Sequence, residues 1–286
     1  MSEDERTATN LQIVEELLRI AARASKAIAR VYATDFAVDY KAAHDPVTVA
    51  DREANGIICE ELAKAFPGVP VVAEESDPAT YAGWRDASSV FFVDPLDGTR
   101  DFVKKNGEFA VMIGLAENGR AKLGVIHAPA TDRRWAGGDG IAAFEQLADG
   151  TRRPLGVSQI ATMAAARLVA SRSRPSEELV EVAEHLGVGN VSPLGSAGIK
   201  AVAIASGEAE LYAHLGNAGW RWDTCAPEAI VRAAGGTTTD AYGDPIDYRA
   251  PSLLNSSGLL MSNGHLHEPL LTALARVRAE RKGNSG

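Results

Sequence analysis

The sequence predicts a two-lobed protein: an α+β half over residues 1–157, then an α/β half over 158–286, packed as one compact unit. Three observations predict this. A long amphipathic pattern opens the chain, two apolar runs flank Asn118-Gly119, and strand-like and helix-like segments alternate after about residue 158. No low-complexity linker separates the halves, so a cleft between packed lobes is expected.

The elements follow in order. Leu11, Val14, Leu18, Ala21, Ala24 and Ile28 recur at spacings of three and four, which predicts a helix over about 8–33. Asp51 is placed to cap a second helix over about 52–66, with Ile57, Ile58, Leu62 and Phe66 inward, and Pro67-Gly68 ends it. Val69–Ala73 reads as a strand delivering Glu74 and Glu75, and Val90–Val93 as one delivering Asp94. Phe109–Ala116 and Ala121–Ala128 are joined by Glu117-Asn118-Gly119-Arg120, a hairpin signal. Further strands are expected near 133–136, 141–146 and 153–157. In the second half, strands are expected at 168–170, 210–213 and 258–262, and helices at 176–186, 197–206, 225–234 and 265–280.

Composition narrows the function. The 286 residues are 45% hydrophobic and 23% charged, as in a globular protein, with a formal charge of −9. That charge disfavours a nucleic-acid polymer or a membrane surface as partner. It leaves open a small anionic substrate, because divalent cations invert the local field at an acidic site. Two distant cysteines, Cys59 and Cys225, an acidic N-terminus and no long apolar run make the cytoplasm the expected location. The six histidines show no zinc spacing, and there is no P-loop, dinucleotide loop or serine nucleophile elbow. His265 and His267 are expected in solvent.

The most informative stretch is Asp94-Pro95-Leu96-Asp97-Gly98-Thr99, at the end of an apolar strand. Two carboxylates three residues apart, joined by the Leu96 carbonyl, make an oxygen-only donor set suited to Mg²⁺. If a short helix begins at Gly98, its free N–H groups favour phosphate. The same spacing also makes an ordinary turn. Glu74-Glu75 is either a cation-neutralised pair or a solvated loop, and Asp223 either a ligand or a helix cap.

Together these residues resemble the inositol monophosphatase superfamily. Asp94-Pro95-Leu96-Asp97-Gly98-Thr99 with Phe102 is similar to its first motif, and Trp222-Asp223-Thr224-Cys225-Ala226-Pro227-Glu228-Ala229-Ile230 to its second. Glu74-Glu75 and Pro46-Val47-Thr48-Val49-Ala50-Asp51 fit in the right order, and the likeness spans about 10–275. Within the superfamily, Asn106-Gly107-Glu108-Phe109, Ser171-Arg172-Ser173 and Gly195-Ser196 through Lys200 look like the 3′(2′),5′-bisphosphate nucleotidase branch.

The resemblance implies a layered αβαβα sandwich and a phosphomonoesterase that converts 3′-phosphoadenosine 5′-phosphate to AMP. It implies Mg²⁺, two or three ions per site, and sensitivity to Li⁺. Glu74, Asp94, the Leu96 carbonyl, Asp97 and Asp223 would hold the metal. Asp51 and Thr99, helped by Glu74, would activate water, and the N–H groups of Gly98 and Thr99 would meet phosphate. Gly195, Ser196 and Lys200 would border the substrate. A second phosphate needs a cation, with Lys200, Arg172, Arg174, His214 and Arg221 as candidates, and Lys104 and Lys105 as steering charges. Tyr212, Trp220 and Trp222 are candidates to stack a base, with Trp222 the one expected in the core. Asp101 stands where many nucleotidases have Glu, and Trp220-Arg221 lengthens the loop before Asp223 relative to bacterial members; both leave substrate identity open. An inositol monophosphatase, a histidinol-phosphate phosphatase and a non-catalytic metal-stabilised binding protein are the alternatives. A monomer or homodimer is expected.

Overall fold

The computed structural model describes residues 2–42, 45–172 and 177–283. Helix α1 (Glu3–Tyr32) leads through a hairpin, β1 (Val38–Ala42) and β2 (Asp45–Thr48), into α2 (Val49–Ala65). Next come β3 (Val71–Ala73), β4 (Ser89–Asp97), the short α3 (Thr99–Val103), β5 (Ala110–Glu117), β6 (Arg120–Ala128), β7 (Arg133–Gly138), β8 (Ile141–Gln146) and β9 (Arg152–Pro154). The second half holds β10 (Arg167–Ser171), α4 (Glu177–Leu186), β11 (Asn190–Leu194), α5 (Ala197–Ala205) and β12 (Leu211–His214). It ends with α6 (Cys225–Ala233), β13 (Thr237–Thr239), β14 (Leu259–Ser262) and α7 (His267–Gly283).

Among the described residues, β3 to β9 form a seven-stranded sheet in sequence order, antiparallel except for the β3–β4 pair. A five-stranded sheet runs β11-β10-β12-β14-β13, parallel around β10 and antiparallel at β14. The large sheet is buried on both faces, so its strands read as unbroken apolar runs. Phe91, Val93, Val111 and Ile113 face α1 and α2, against Val14, Leu17, Ile28, Ile58 and Leu62. Phe92, Ala110 and Met112 alternate to the opposite face and meet Ala201, Ile204, Ala226 and Ile230 of α5 and α6. That helical layer also touches Val169, Tyr212 and Met261 of the second sheet. Leu179, Val182, Leu270 and Leu274 of α4 and α7 cover the far side. The layers are therefore αβαβα.

Several local expectations change. Helix α1 starts at Glu3, not near residue 8, because Ser2 and Glu5 form a capping box and the acidic first turn complements the helix dipole. Its apolar stripe begins at Val14, and Leu11 is exposed. Asp51 is not the cap of α2: Thr48 is, and Asp51 is its capping-box partner one turn in. His267 is buried, held between Thr239 Oγ1 and Ser262 Oγ at 2.9 Å each, while His265 is exposed. The hairpin β1–β2 and the strands β11 and β13 were not expected. β11 is an exposed edge strand containing Pro193, and β13 is a run of three threonines, so neither carries an apolar period.

The packing that places the site is a path of glycines. Gly114, Gly124 and Gly137 stand opposite one another on β5, β6 and β7, under α6. A Cβ on Gly114 would lie 2.6 Å from Ala226 N, and one on Gly124 only 2.3 Å from Ala226 O. Without side chains there, the first turn of α6 lies directly on the sheet. Gly124→Val is expected to lower stability by about 1–3 kcal/mol or more through overpacking against the α6 backbone. The urea midpoint of the variant measures this.

Candidate active site

The chain reaches one cleft, of about 390 Å³, from six directions. Pro46 comes from β2, Glu74 from the end of β3, and Asp94 to Asp101 from β4 and α3. Ser171 comes from the end of β10, Ser196, Ala197 and Lys200 from the start of α5, and Tyr212, His214, Ala218, Gly219, Trp220 and Asp223 from β12 and the loop after it. Register matters at β4. Asp94 pairs with Met112 and Asp97 with Ala110, so Pro95 and Leu96 face Val111 alone. This bulge re-aims the strand end and turns both aspartates and the Leu96 residue to the cleft. Gly98 then begins α3 with φ +90°, and a Cβ there would sit 2.8 Å from Glu108 O, so only glycine fits.

Glu74, Asp94 and Asp223 each offer a carboxylate oxygen, and these lie within 4.8 Å of one another. Asp94 is 3% exposed. Its pKa is pushed well up, first by burial and then by the charges of Glu74, Asp97 and Asp223. Asp223 is pushed well up by burial, then by Glu74 and Asp97. Its Oδ2 accepts from Trp220 N at 2.7 Å, and Gly219, at φ +81°, leaves the room: a Cβ there would lie 2.2 Å from that oxygen. An all-oxygen cluster with unfavourable mutual charge fits a hard divalent cation.

The remaining candidates fall around this cluster. Asp97 lines the cleft, but its Oδ2 accepts from Ser196 Oγ and from Gly198 N at 2.9 Å, at the start of α5. Asp51 is buried, with its pKa raised by burial. Its Oδ2 takes both Thr48 N and Thr48 Oγ1 at 2.7 Å. Thr99 Oγ1 lies 3.1 Å from Asp51 Oδ1 and 3.1 Å from Leu96 O. Lys200 is buried; its Nζ donates to Ser196 O at 2.6 Å and faces the Tyr212 ring. Burial brings its pKa down to about 8, against the pull of Asp97, Asp101, Asp223 and Glu108.

Some expected residues are not brought in. Gly195 does not line the cleft: its N–H donates to Glu108 Oε2 at 2.5 Å. Arg221 points away, to Asp247 O and Asn255 Oδ1. Arg172 pairs with Glu108 at 2.7 Å. Lys105 is no free steering charge; it donates to the carbonyls of Tyr32 and Thr34 and lies over the Tyr32 and Phe36 rings. Ser173, Arg174 and His44 lie outside the described residues. His214 does line the cleft. Of the aromatic candidates, Tyr212 and Trp222 are buried, whereas Trp220 is 42% exposed and stacked on Trp222 at 5.1 Å and 14°. Pro46 and Ser171, from two of the family-like segments, also line the cleft, and so does Arg100, which was not singled out. For Arg100 the signal was present, a basic residue directly after Asp-Gly-Thr.

The cluster sets a pH dependence. Asp94 and Asp223 bind protons more tightly folded than unfolded, so the metal-free fold loses stability as pH rises from the ordinary carboxylate range through their raised pKa values. Melting in EDTA between about pH 5 and about pH 8 is expected to show that fall, and Mg²⁺ to reverse it. Asp94→Asn should raise the melting temperature in EDTA at the upper pH and abolish the Mg²⁺ response.

With this geometry in place, comparison with known proteins is direct. The model of the inositol monophosphatase family matches residues 10–279. The chain is 35% identical over 241 residues to the 3′(2′),5′-bisphosphate nucleotidase CysQ of Escherichia coli (strain K12), covering 82% of this chain and 94% of that one. It is 36% identical over 238 residues to the protein of the same name from Salmonella typhimurium, with the same coverage. Among solved structures, it matches the extragenic suppressor protein suhB of Bartonella henselae with a TM-score of 0.79 at 26% identity, covering 92% of this chain and 98% of that one. It matches CysQ of Bacteroides thetaiotaomicron with a TM-score of 0.73 at 29% identity, covering 88% and 97%. A match running through both large sheets and through every segment that lines the cleft leaves one assignment: this chain belongs to the inositol monophosphatase family.

Proposed function

We propose that this protein is a Mg²⁺-dependent 3′(2′),5′-bisphosphate nucleotidase that hydrolyses 3′-phosphoadenosine 5′-phosphate to AMP and phosphate. The observation that carries the reading is one cleft lined by two unlike sets of residues. Glu74, Asp94 and Asp223 form an acidic cluster, and Lys200, His214 and the partly exposed Trp220 line the same cleft. The CysQ relatives, named 3′(2′),5′-bisphosphate nucleotidases, support a substrate of that nucleotide class.

Glu74, Asp94 and Asp223, joined by Asp97 and the Leu96 carbonyl, would hold the cation. When bound it supplies neutralisation of phosphate charge and a lowered pKa for nearby water. The chain's own groups do the positioning. Thr99 has one hydroxyl hydrogen and two acceptors at equal distance. Given to Asp51, that hydrogen leaves a lone pair of Thr99 to orient water and frees the Leu96 carbonyl. Asp51 cannot swing away, because two bonds from Thr48 hold its other oxygen. Lys200 and the start of α5 supply positive potential for a phosphate.

Trp220 is the base platform. Its inner face is already stacked on Trp222, so little side-chain freedom is lost when a base covers the outer face.

Phosphate release from a panel of 3′-phosphoadenosine 5′-phosphate, inositol 1-phosphate, histidinol phosphate and fructose 1,6-bisphosphate tests the reading. The highest kcat/KM is expected for the nucleotide, with Mg²⁺ required and Li⁺ inhibitory. A higher value for any other member, or turnover in EDTA, overturns it. Trp220→Ala should raise KM for the nucleotide by roughly 10-fold, the size of one lost base stack, and leave slow hydrolysis of inositol 1-phosphate unchanged.

A further inference from the structure

We infer that Asn255, which lies outside the cleft, is the positioning residue that sets Asp223 for cation binding. The inference rests on the reading of Glu74, Asp94 and Asp223 as a cation site.

The loop carrying Asp223 has no regular strand to hold it. It is zipped instead to the loop before β14. Ala218 N donates to Asn255 O at 3.0 Å, Asn255 N to Gly219 O at 2.8 Å, and Arg221 N to Leu253 O at 2.8 Å, around a bridge between Trp220 and Leu254. This short ladder stops at Arg221, two residues before Asp223. The Asn255 side chain carries the connection across. Its Nδ2 donates to Trp220 O at 2.7 Å, on one side of Asp223, and to Thr224 Oγ1 at 2.9 Å, on the other. Its Oδ1 accepts from Arg221 Nη1. Asn255 is 2% exposed, so each of these bonds is made in a site where losing one is not repaired by water.

The consequence for Asp223 is direct. Its Oδ2 is held by Trp220 N, and Asn255 holds Trp220 from both ends: its backbone N–H donates to the Gly219 carbonyl of the peptide that carries Trp220 N, and its side chain donates to the Trp220 carbonyl on the next peptide. Thr224 begins α6, which the glycine path pins to the sheet. Asn255 thus ties the loop before Asp223 to the start of α6 after it. An amide is required, because one group must donate twice and accept once. Aspartate has the same shape but cannot donate, and it would face the Trp220 carbonyl with like charge. Groups that orient a metal ligand in this way typically control 10–100-fold in metal affinity.

The test is Mg²⁺ binding by calorimetry, without substrate, to the wild-type chain, Asn255→Asp and Thr224→Val. Asn255→Asp is expected to bind Mg²⁺ about 10–100-fold more weakly, with kcat largely recovered at saturating Mg²⁺. Thr224→Val, which removes one of the two donated bonds and keeps the ladder, is expected to shift affinity in the same direction by less; it carries the test if Asn255→Asp does not fold. A purely structural asparagine would lower the melting temperature and leave Mg²⁺ affinity unchanged in every folded variant, and that result overturns the inference alone. A wild-type chain that binds no Mg²⁺ overturns the cation reading and this inference with it.

Discussion

Bringing Glu74, Asp94 and Asp223 within 4.8 Å of one another costs electrostatic energy, and the rest of the structure supplies what offsets it. The three residues come from segments far apart in sequence. Asp94 is fixed by an interior strand buried on both faces, and Asp223 by a helix lying on that same sheet. The glycine path through Gly114, Gly124 and Gly137 sets how close the helix can come. Hydrophobic burial in the layers on either side therefore holds like charges together that would separate if left free.

Local backbone rules are broken at several points where the cleft is built. The bulge at Pro95-Leu96, the left-handed Gly98 and Gly219, and Ser196 at φ +49° all sit on the segments that carry the site. Ser196 is the only one of these left-handed positions with a side chain, and its hydroxyl bridges Asp97 and Ile199 N. Strain of this kind persists where surrounding contacts over-determine it, as they do at the start of α5. The same segments also decide what is left accessible. Gly195 N and Arg172 are both taken by Glu108, and the basic residues that line the cleft are Lys200, His214 and Arg100.

Most of the elements were legible because their signals are local. The Asn118-Gly119 hairpin, the apolar runs of β5 and β6, and α5 and α6 each carry a period or a turn that needs no tertiary context. What was misread lacked such a period. β11 and β13 are polar edge strands whose pairing comes from neighbours, and α1 begins with a capping box ahead of its apolar stripe. His267 looked like a solvated residue near the end of the chain, yet Thr239 and Ser262 enclose it.

The sequence by itself determined the layered class and the family resemblance, and with them the set of oxygen donors on β4 and on the segments before and after it. These are matters of residue type and short spacing, which survive without coordinates. Only the tertiary structure decided which donors meet. It put Glu74, Asp94 and Asp223 together, turned one oxygen of Asp97 to α5, sent Arg221 away from the cleft and stacked a partly exposed Trp220 on Trp222. The reason is physical: convergence depends on strand register, a bulge and the height of a helix above a sheet, and each is set by contacts between residues distant in the chain.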